Sequence, residues 1–378
     1  MDSWKTYELG ELLLYEQPTK YIVKSTEYDD SYTTPVLTAG KSFVLGYTNE
    51  EDGVYPQEGL PVIIFDDFTT SSKYVDFPFK VKSSAMKILT PNTELVLPKY
   101  IFYRMQLIQF DHSTHKRYWI QQYSKLTVSI PDIDEQKKVV GEIEERLTQL
   151  DNGNQILQKT KQQLAVYRQA VLKEAFNEVA DGKKSTIMTV CEKVVDCPHS
   201  TPKWTESGKL CLRTTNFKRG YLDLREKNYV SNETFDARNK RLVPKFGDIL
   251  FSREGAILGI ACIIPEEIEV CLGQRMMLLR PKKCINNKFL MYYLNSPMVN
   301  KLVIQNVGGT ASPHINVGDI KEFIIPTPDM SRQLSIVREI EARLSVCDNI
   351  EKTVKTALQQ IEVMHQSILK TALEERLM

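Results

Sequence analysis

The chain contains itself twice. Residues 136–176 read QKKVVGEIEERLTQLDNGNQILQKTKQQLAVYRQAVLKEAF, and residues 333–373 read QLSIVREIEARLSVCDNIEKTVKTALQQIEVMHQSILKTAL. At a constant offset of 197 they align without a gap, and 16 of 41 positions are identical. Each copy follows a short Pro-containing run of strand character, VSIPDIDEQ (128–136) and FIIPTPDMSRQ (323–333). The plan is variable region, long helix, variable region, long helix. A chain duplicated in this way has pseudo-twofold symmetry, which suits a two-part target such as a split DNA site.

The helical copies are apolar along one side. Val140, Ile143, Leu147, Leu150, Leu157, Leu164 and Val171 form a stripe in the first; Val337, Ile340, Leu344, Cys347, Val354, Leu358, Ile361 and Ile368 form it in the second. Steps of three and four residues place each set on one helix face. Asn154, Lys161 and Arg168 interrupt the first stripe, Glu351 and His365 the second. Polar seam residues of this kind set register and partner choice at a cost in stability. Gly153 is a weak point in the first copy, costing about 1 kcal/mol relative to Ala. A helix of this length spans about 60 Å and needs a partner. The simplest partner is its twin, packed antiparallel as a coiled coil. The solvated faces repeat as well: Glu142, Arg146, Gln163 and Gln169 match Glu339, Arg343, Gln360 and Gln366. Packing does not require such a match. Paired docking surfaces for partner subunits would require it, although duplication alone also produces it.

The variable regions share an order of elements but little sequence. Residues 1–131 carry short β-type runs at 35–40, 60–65, 85–89 and 125–131 and a helix-period stretch at 97–106. Residues 181–326 repeat the plan with KLCLRTTNF, GDILFSREG, IACIIP and QRMMLLRP, then KFLMYYLNS as a helix, then IKEFIIP. Loops rich in donors and aromatics are the candidate reading surfaces, since Arg or Lys pairs with guanine and Asn or Gln with adenine. In the first region they supply Lys41, Tyr47, Thr48, Thr70, Ser72, Lys73, Lys116, Arg117 and Tyr118. In the second they supply Arg213, Thr215, Asn216, Lys218, Arg219, Arg253 and His314. Charge is uneven: 13 basic against 16 acidic residues over 1–131, hence −3, and 22 against 16 over 177–326, hence +6. A total of +1 does not describe a non-specific DNA coater, but permits a reader that uses a few placed contacts.

Signatures of catalysis are missing. PVLTAGKS (35–42) imitates a P-loop, but Pro35 stands where the first Gly belongs. PDIDEQK (131–137) imitates a nuclease motif, yet its acids fall at a helix start, where Asp132 or Asp134 serves as a cap. Cys191, Cys197, His199 and Cys211 lack the spacing of a zinc site. No cofactor turn or catalytic histidine signature is visible. The seven cysteines, odd in number and without a CxxC, point to reduced thiols. With no basic leader and no apolar run near ~20 residues, a cytoplasmic protein is expected.

The matching stretches SIPDIDEQKKVVGEIEERL and IIPTPDMSRQLSIVREIEARL resemble the specificity subunit of type I restriction–modification systems. VDCPHSTPKW (195–204), LRTTNFKRG (212–220), GDILFSREGAILGIA (247–261), GGTASPHINVGDIKEFIIPTP (308–328) and PVLTAGKSFVLGYT (35–48) resemble stretches of that family's recognition domains. One departure is Arg332-Gln333 where the first copy has Glu135-Gln136. The resemblance implies an α+β chain with two mixed α/β target-recognition domains, 1–131 and 181–326. Two long antiparallel helices, 132–180 and 327–378, would form the coiled-coil spacer in a pseudo-twofold symmetric arrangement. It implies a non-catalytic subunit, without cofactor or metal of its own, that reads a bipartite site on double-stranded DNA. It implies docking of two methyltransferase subunits, which bring S-adenosylmethionine and modify adenine, and of restriction/translocase subunits. The rivals are a coiled-coil protein-interaction scaffold without DNA specificity and a stand-alone nuclease or methyltransferase.

Overall fold

A computed structural model describes residues 4–38, 42–110, 118–308 and 313–374. The chain divides into two compact units, one made of residues 1–157 and 356–378, the other of residues 158–355. Both long helices therefore contribute to both units.

The first unit opens with strand β1 (Lys5–Glu8) and helix α1 (Leu9–Leu12). Strands β2 (Leu13–Glu16), β8 (Met86–Pro91), β5 (Val62–Asp66) and β6 (Ser72–Val75) form an antiparallel sheet in that order. A second sheet joins β4 (Val44–Thr48), β3 (Thr34–Leu37) and β7 (Lys80–Val81), with β3 and β7 parallel. All five residues of β5 are buried. Ile63 and Phe65 face a core shared with α2 (Pro98–Gln106) and with Val139 and Ile143 of the first long helix, α3 (Ile133–Asn177). Leu369, Ala372 and Leu373 of the second long helix enter the same core. Val62 and Ile64 face the other way, toward Leu37, Phe79 and Val81. A strand covered on both faces reads as a continuous apolar run, which is how VIIF appears in the sequence. Strand β9 (Thr127–Ile130) returns to pair with β1, Tyr7 opposite Val128.

The second unit repeats this plan. Strand β10 (Lys184–Thr186) leads into α4 (Ile187–Val190). Strands β11 (Cys191–Asp196), β20 (Met276–Pro281), β17 (Ile249–Ser252) and β18 (Ala261–Ile263) form a sheet of the same order. The second sheet runs β12 (Trp204–Thr205), β16 (Tyr229–Val230), β13 (Lys209–Leu212), β19 (Val270–Leu272), again with one parallel pair, β13 and β19. A small hairpin, β14 (Phe217–Lys218) and β15 (Tyr221–Leu222), and helix α5 (Asn232–Asn239) are additions to the shared frame. Helices α6 (Asn287–Leu294), α7 (Pro297–Gln305) and α8 (Val317–Lys321) follow. Strand β21 (Ile324–Pro326) then closes onto β10 before the second long helix, α9 (Met330–Glu374).

The start of each long helix is built identically. Asp132 accepts the Glu135 amide at 2.9 Å, and Asp329 accepts the Arg332 amide at 2.8 Å. Asp132 is thus the cap, whereas Asp134 pairs with Lys137 at 2.9 Å. Next in line, Gln136 and Gln333 are both fully buried. Gln136 accepts from the Leu97 amide at 2.8 Å and donates to the carbonyls of Leu95 and Pro131 at 3.1 and 2.9 Å. Gln333 accepts from the Asn286 amide at 2.7 Å and donates to Cys284 and Pro328 at 3.1 and 2.9 Å. Leu97 and Asn286 are the caps of α2 and α6. One side chain therefore satisfies the end of the preceding strand and the open start of a neighbouring helix. An ion pair reinforces each junction, Lys99 with Glu144 and Lys288 with Glu341.

The helices pair antiparallel. In the second unit Arg168 and Glu174 of α3, and Glu178 just beyond its end, meet Glu351, Arg343 and Arg332 of α9, so the numbers fall on one helix as they rise on the other. In the first unit the beginning of α3 packs with the end of α9. Along the stripe Ile143, Leu164 and Val171 are buried, while Leu147, Leu150 and Leu157 are half-buried. Helix α3 continues unbroken through Gly153. No helix among the described residues is long and apolar enough to cross a membrane.

Candidate nucleic-acid interface

In the first unit, the loop after β5 is a tight hydrogen-bonded turn. Asp66 accepts from the Phe68 amide at 2.9 Å and the Thr69 hydroxyl at 2.8 Å. Thr70, with φ +56°, donates its amide to the Asp66 carbonyl. Asp67 is buried and accepts the Trp119 amide at 2.8 Å, while its carbonyl accepts the Tyr118 amide. Lys87, also buried, lies 3.4 Å from the Asp67 carboxylate. A buried carboxylate is stable only when paired and hydrogen-bonded. Here the pair anchors residues 66–71 and 118–119 to the sheet together.

Against that scaffold the nominated residues separate. Tyr47 and Lys73 are exposed, on β4 and β6. Thr48 is buried and accepts the Glu50 amide. Ser72 is buried and bonded to Gln106 at 2.8 Å. Tyr118 is buried, its ring edge-on to Phe110 at 4.9 Å. These three are bound into the scaffold and do not offer their side chains to solvent. Lys41, Lys116 and Arg117 lie outside the described residues. Phe68, which was not nominated, is exposed at the tip of the turn.

The second unit sorts its residues in the same manner. Residues 213–219 place the five expected contacts in different environments. Asn216 is buried; its oxygen accepts the Arg213 amide at 2.8 Å, and its nitrogen donates to the Asp223 and Glu226 carbonyls at 3.0 and 2.9 Å. It pins the loop, with both amide hydrogens given to main-chain carbonyls, so this nominated side chain is bound into the scaffold. Arg219 donates to the Asn295 carbonyl at 3.3 Å and to Asn300 at 3.4 Å. Arg213 is exposed, with its guanidinium 5.7 Å from the centre of the Trp204 ring. Thr215 is exposed, and Lys218 is half-buried with its amine toward the Thr215 carbonyl.

Arg253 is likewise bound into the scaffold. It is buried and grips Asp196 through two bonds of 2.8 and 3.0 Å, tying the loop after β17 to the end of β11. His199 also reaches Asp196, at 3.0 Å. His314 is half-buried, and its main chain exchanges two hydrogen bonds with Gly308 across residues 309–312, which are outside the described set.

Three side-chain clamps were not read from the sequence. Arg238 donates to the carbonyls of Leu272, Ser200, Pro198 and Gly273. Arg280 binds Asp248 through two bonds of 2.8 Å. Lys80 pairs with Glu50 at 3.1 Å. For Asp248 a signal existed: it follows Gly247, whose φ of +82° marks a turn. For Arg238 there was none, because its acceptors are carbonyls scattered over residues 198–273.

On the helices, Glu142–Arg146 and Glu339–Arg343 are matching i,i+4 pairs at 2.7 and 3.4 Å. Arg343 also crosses to Glu174 at 2.8 Å, and Gln169 accepts from Asn300 at 3.3 Å. Gln163, Gln360 and Gln366 remain exposed. Among the described residues no group of three His, Cys, Asp or Glu could hold a metal ion.

The family model for the type I restriction modification DNA specificity domain matches residues 1–166 and 203–360. The chain is 32% identical over 343 residues to the specificity subunit of the type I restriction enzyme EcoR124I/EcoR124II of Escherichia coli, spanning 88% of this chain and 85% of that one. Among solved structures, a chain from work on complex assembly and conformational transition of the type I R-M system matches with a TM-score of 0.68 at 17% identity, over 99% of this chain and 98% of that one. The HsdS subunit from Thermoanaerobacter tengcongensis matches with a TM-score of 0.53 at 16% identity, over 99% and 97%. At such identities the structures speak to the fold.

Proposed function

The chain belongs to the type I restriction–modification DNA specificity family, and we propose that it reads a bipartite site on double-stranded DNA, one half-site per recognition domain. Residues 1–131 form the first recognition domain and 181–326 the second; residues 132–180 and 327–378 set the gap between half-sites. The chain is the non-catalytic specificity subunit of its complex. Two methyltransferase subunits dock on the repeated helices and methylate adenine, restriction/translocase subunits join them, and the assembly works in the cytoplasm.

The observation that carries this reading is the doubled junction. Gln136 and Gln333 make the same three contacts in two units whose sheets share one strand order, while the exposed side chains on those frames differ. Equal frames with unequal surfaces are what two readers of two base sequences need, since base edges are read by side chains and not by the frame.

Mapping methylated adenines genome-wide, with and without this gene, in a host that expresses the partner methyltransferase tests it. Loss of one bipartite motif is expected. An unchanged methylome with an active methyltransferase would favour the scaffold without DNA specificity.

A further inference from the structure

Recognition domain 2 contains eight arginines, and the structure commits nearly all of them. Arg238 and Arg253 are buried on carbonyls and a carboxylate, and the half-buried Arg280 binds Asp248. The rest, other than Arg213, donate to main-chain oxygens or pair with a neighbouring acid. Arg213 differs: its guanidinium makes no hydrogen bond or ion pair among the described residues and lies over Trp204, 5.7 Å from the ring centre.

Its setting is rigid. Arg213 leaves the end of β13, its amide is held by Asn216 at 2.8 Å, and Asn216 is itself locked by two carbonyls. Trp204 stands on β12, an edge strand of the sheet that contains β13, and is 41% exposed. An aromatic face under a guanidinium holds its plane while leaving the N–H edge open. Little side-chain freedom is then lost on binding.

We propose that Arg213, laid over Trp204, reads a guanine in the major groove of the half-site bound by recognition domain 2, donating two parallel hydrogen bonds to its O6 and N7. A planar fork matches that pair of acceptors. The proposal rests on the half-site reading above and narrows it to one residue and one base.

The test uses the chain assembled with its methyltransferase partner and duplexes carrying the mapped site. Each guanine in turn, in both half-sites, is replaced by 7-deazaguanine, which keeps base pairing but removes the N7 acceptor. At one guanine the replacement should weaken the native complex about tenfold. At that same guanine it should have no further effect on the complex of Arg213→Ala. Trp204→Ala should reduce discrimination at that guanine and at no other. Replacements that add fully to Arg213→Ala at every guanine would overturn the proposal. So would an Arg213→Ala complex that binds all sequences uniformly less well with a shallower salt dependence, which marks a phosphate contact. A complex with no bipartite preference at all would instead sink the half-site reading itself.

Discussion

Arg168 reaches from the first long helix to Glu351 of the second at 2.8 Å, and to Asp348 at 2.7 Å. Arg168 and Glu351 are positions at which the two apolar stripes are interrupted, one in each helix. The interruptions meet. A polar residue in a helix seam is costly when it faces an apolar neighbour, and informative when it faces its complement, because other registers lose the match.

Charge exchange tests that pairing. Glu351→Arg should lower stability by opposing Arg168, and the double variant Arg168→Glu/Glu351→Arg should recover most of the loss. Arg168→Leu should cost no more than about 1 kcal/mol, since Asp348 and Glu351 are 68% and 52% exposed and exposed pairs contribute little. Urea unfolding measures all three. A double variant no better than Glu351→Arg alone would show that the contact does not set the register.

The buried glutamines carry more. Gln136→Ala or Gln333→Ala removes three hydrogen bonds and strands a helix-start amide and two carbonyls in the interior. Each should destabilise the chain by about 3 kcal/mol, read as a shifted denaturant midpoint. A cost below about 1 kcal/mol would mean that water replaces the amide.

Arg238→Met should loosen the second unit by about 3 kcal/mol, because the carbonyls of residues 198, 200, 272 and 273 lose a charged donor. Limited proteolysis should then cut near residues 195–204. Lys73→Ala, at an exposed position, should leave stability within about 0.5 kcal/mol. An equal effect of the two variants would contradict the clamp.

Alkaline pH should unfold the second unit. Burial pushes the Cys191 thiol up to about 12. Burial first, then the carboxylates of Glu341 and Asp348, push the Tyr292 hydroxyl up to about 12. In the unfolded chain these groups ionise near ~8.5 and ~10. Above those values the unfolded state holds fewer protons than the folded one, so stability falls as pH rises. The melting temperature should stay level from about pH 7 to 8 and decline toward pH 12, less steeply in Tyr292→Phe above about pH 10. A melting temperature that rises through this range would contradict the assignment.

Four residues inserted after Asn152 would lengthen α3 by about 6 Å. Methylome mapping should then show a changed gap, or no assembly, with any surviving half-sites unaltered. An unchanged gap at full activity would refute the ruler.

Much of the architecture was legible because its signals are local or repeated. The offset of 197 exposed the duplication, a period of three to four residues exposed both helices, and stretches such as GDILFSREG carried the family resemblance. The partner of each helix followed from the length of its apolar face.

The division of labour among the polar residues was decided elsewhere. Arg213, Thr215 and Asn216 are near-neighbours of similar polarity in one short segment. Yet Asn216 is consumed by carbonyls 7 and 10 positions away, and Arg253 by an aspartate 57 positions away. Composition and periodicity report which groups can form hydrogen bonds. Whether a donor faces water or is already satisfied depends on what the fold brings beside it, and that is settled only when distant strands come into register. The sequence alone therefore determined a duplicated chain with two helical spacers and two variable frames. The tertiary structure decided which side chains on those frames hold the loops and which face solvent.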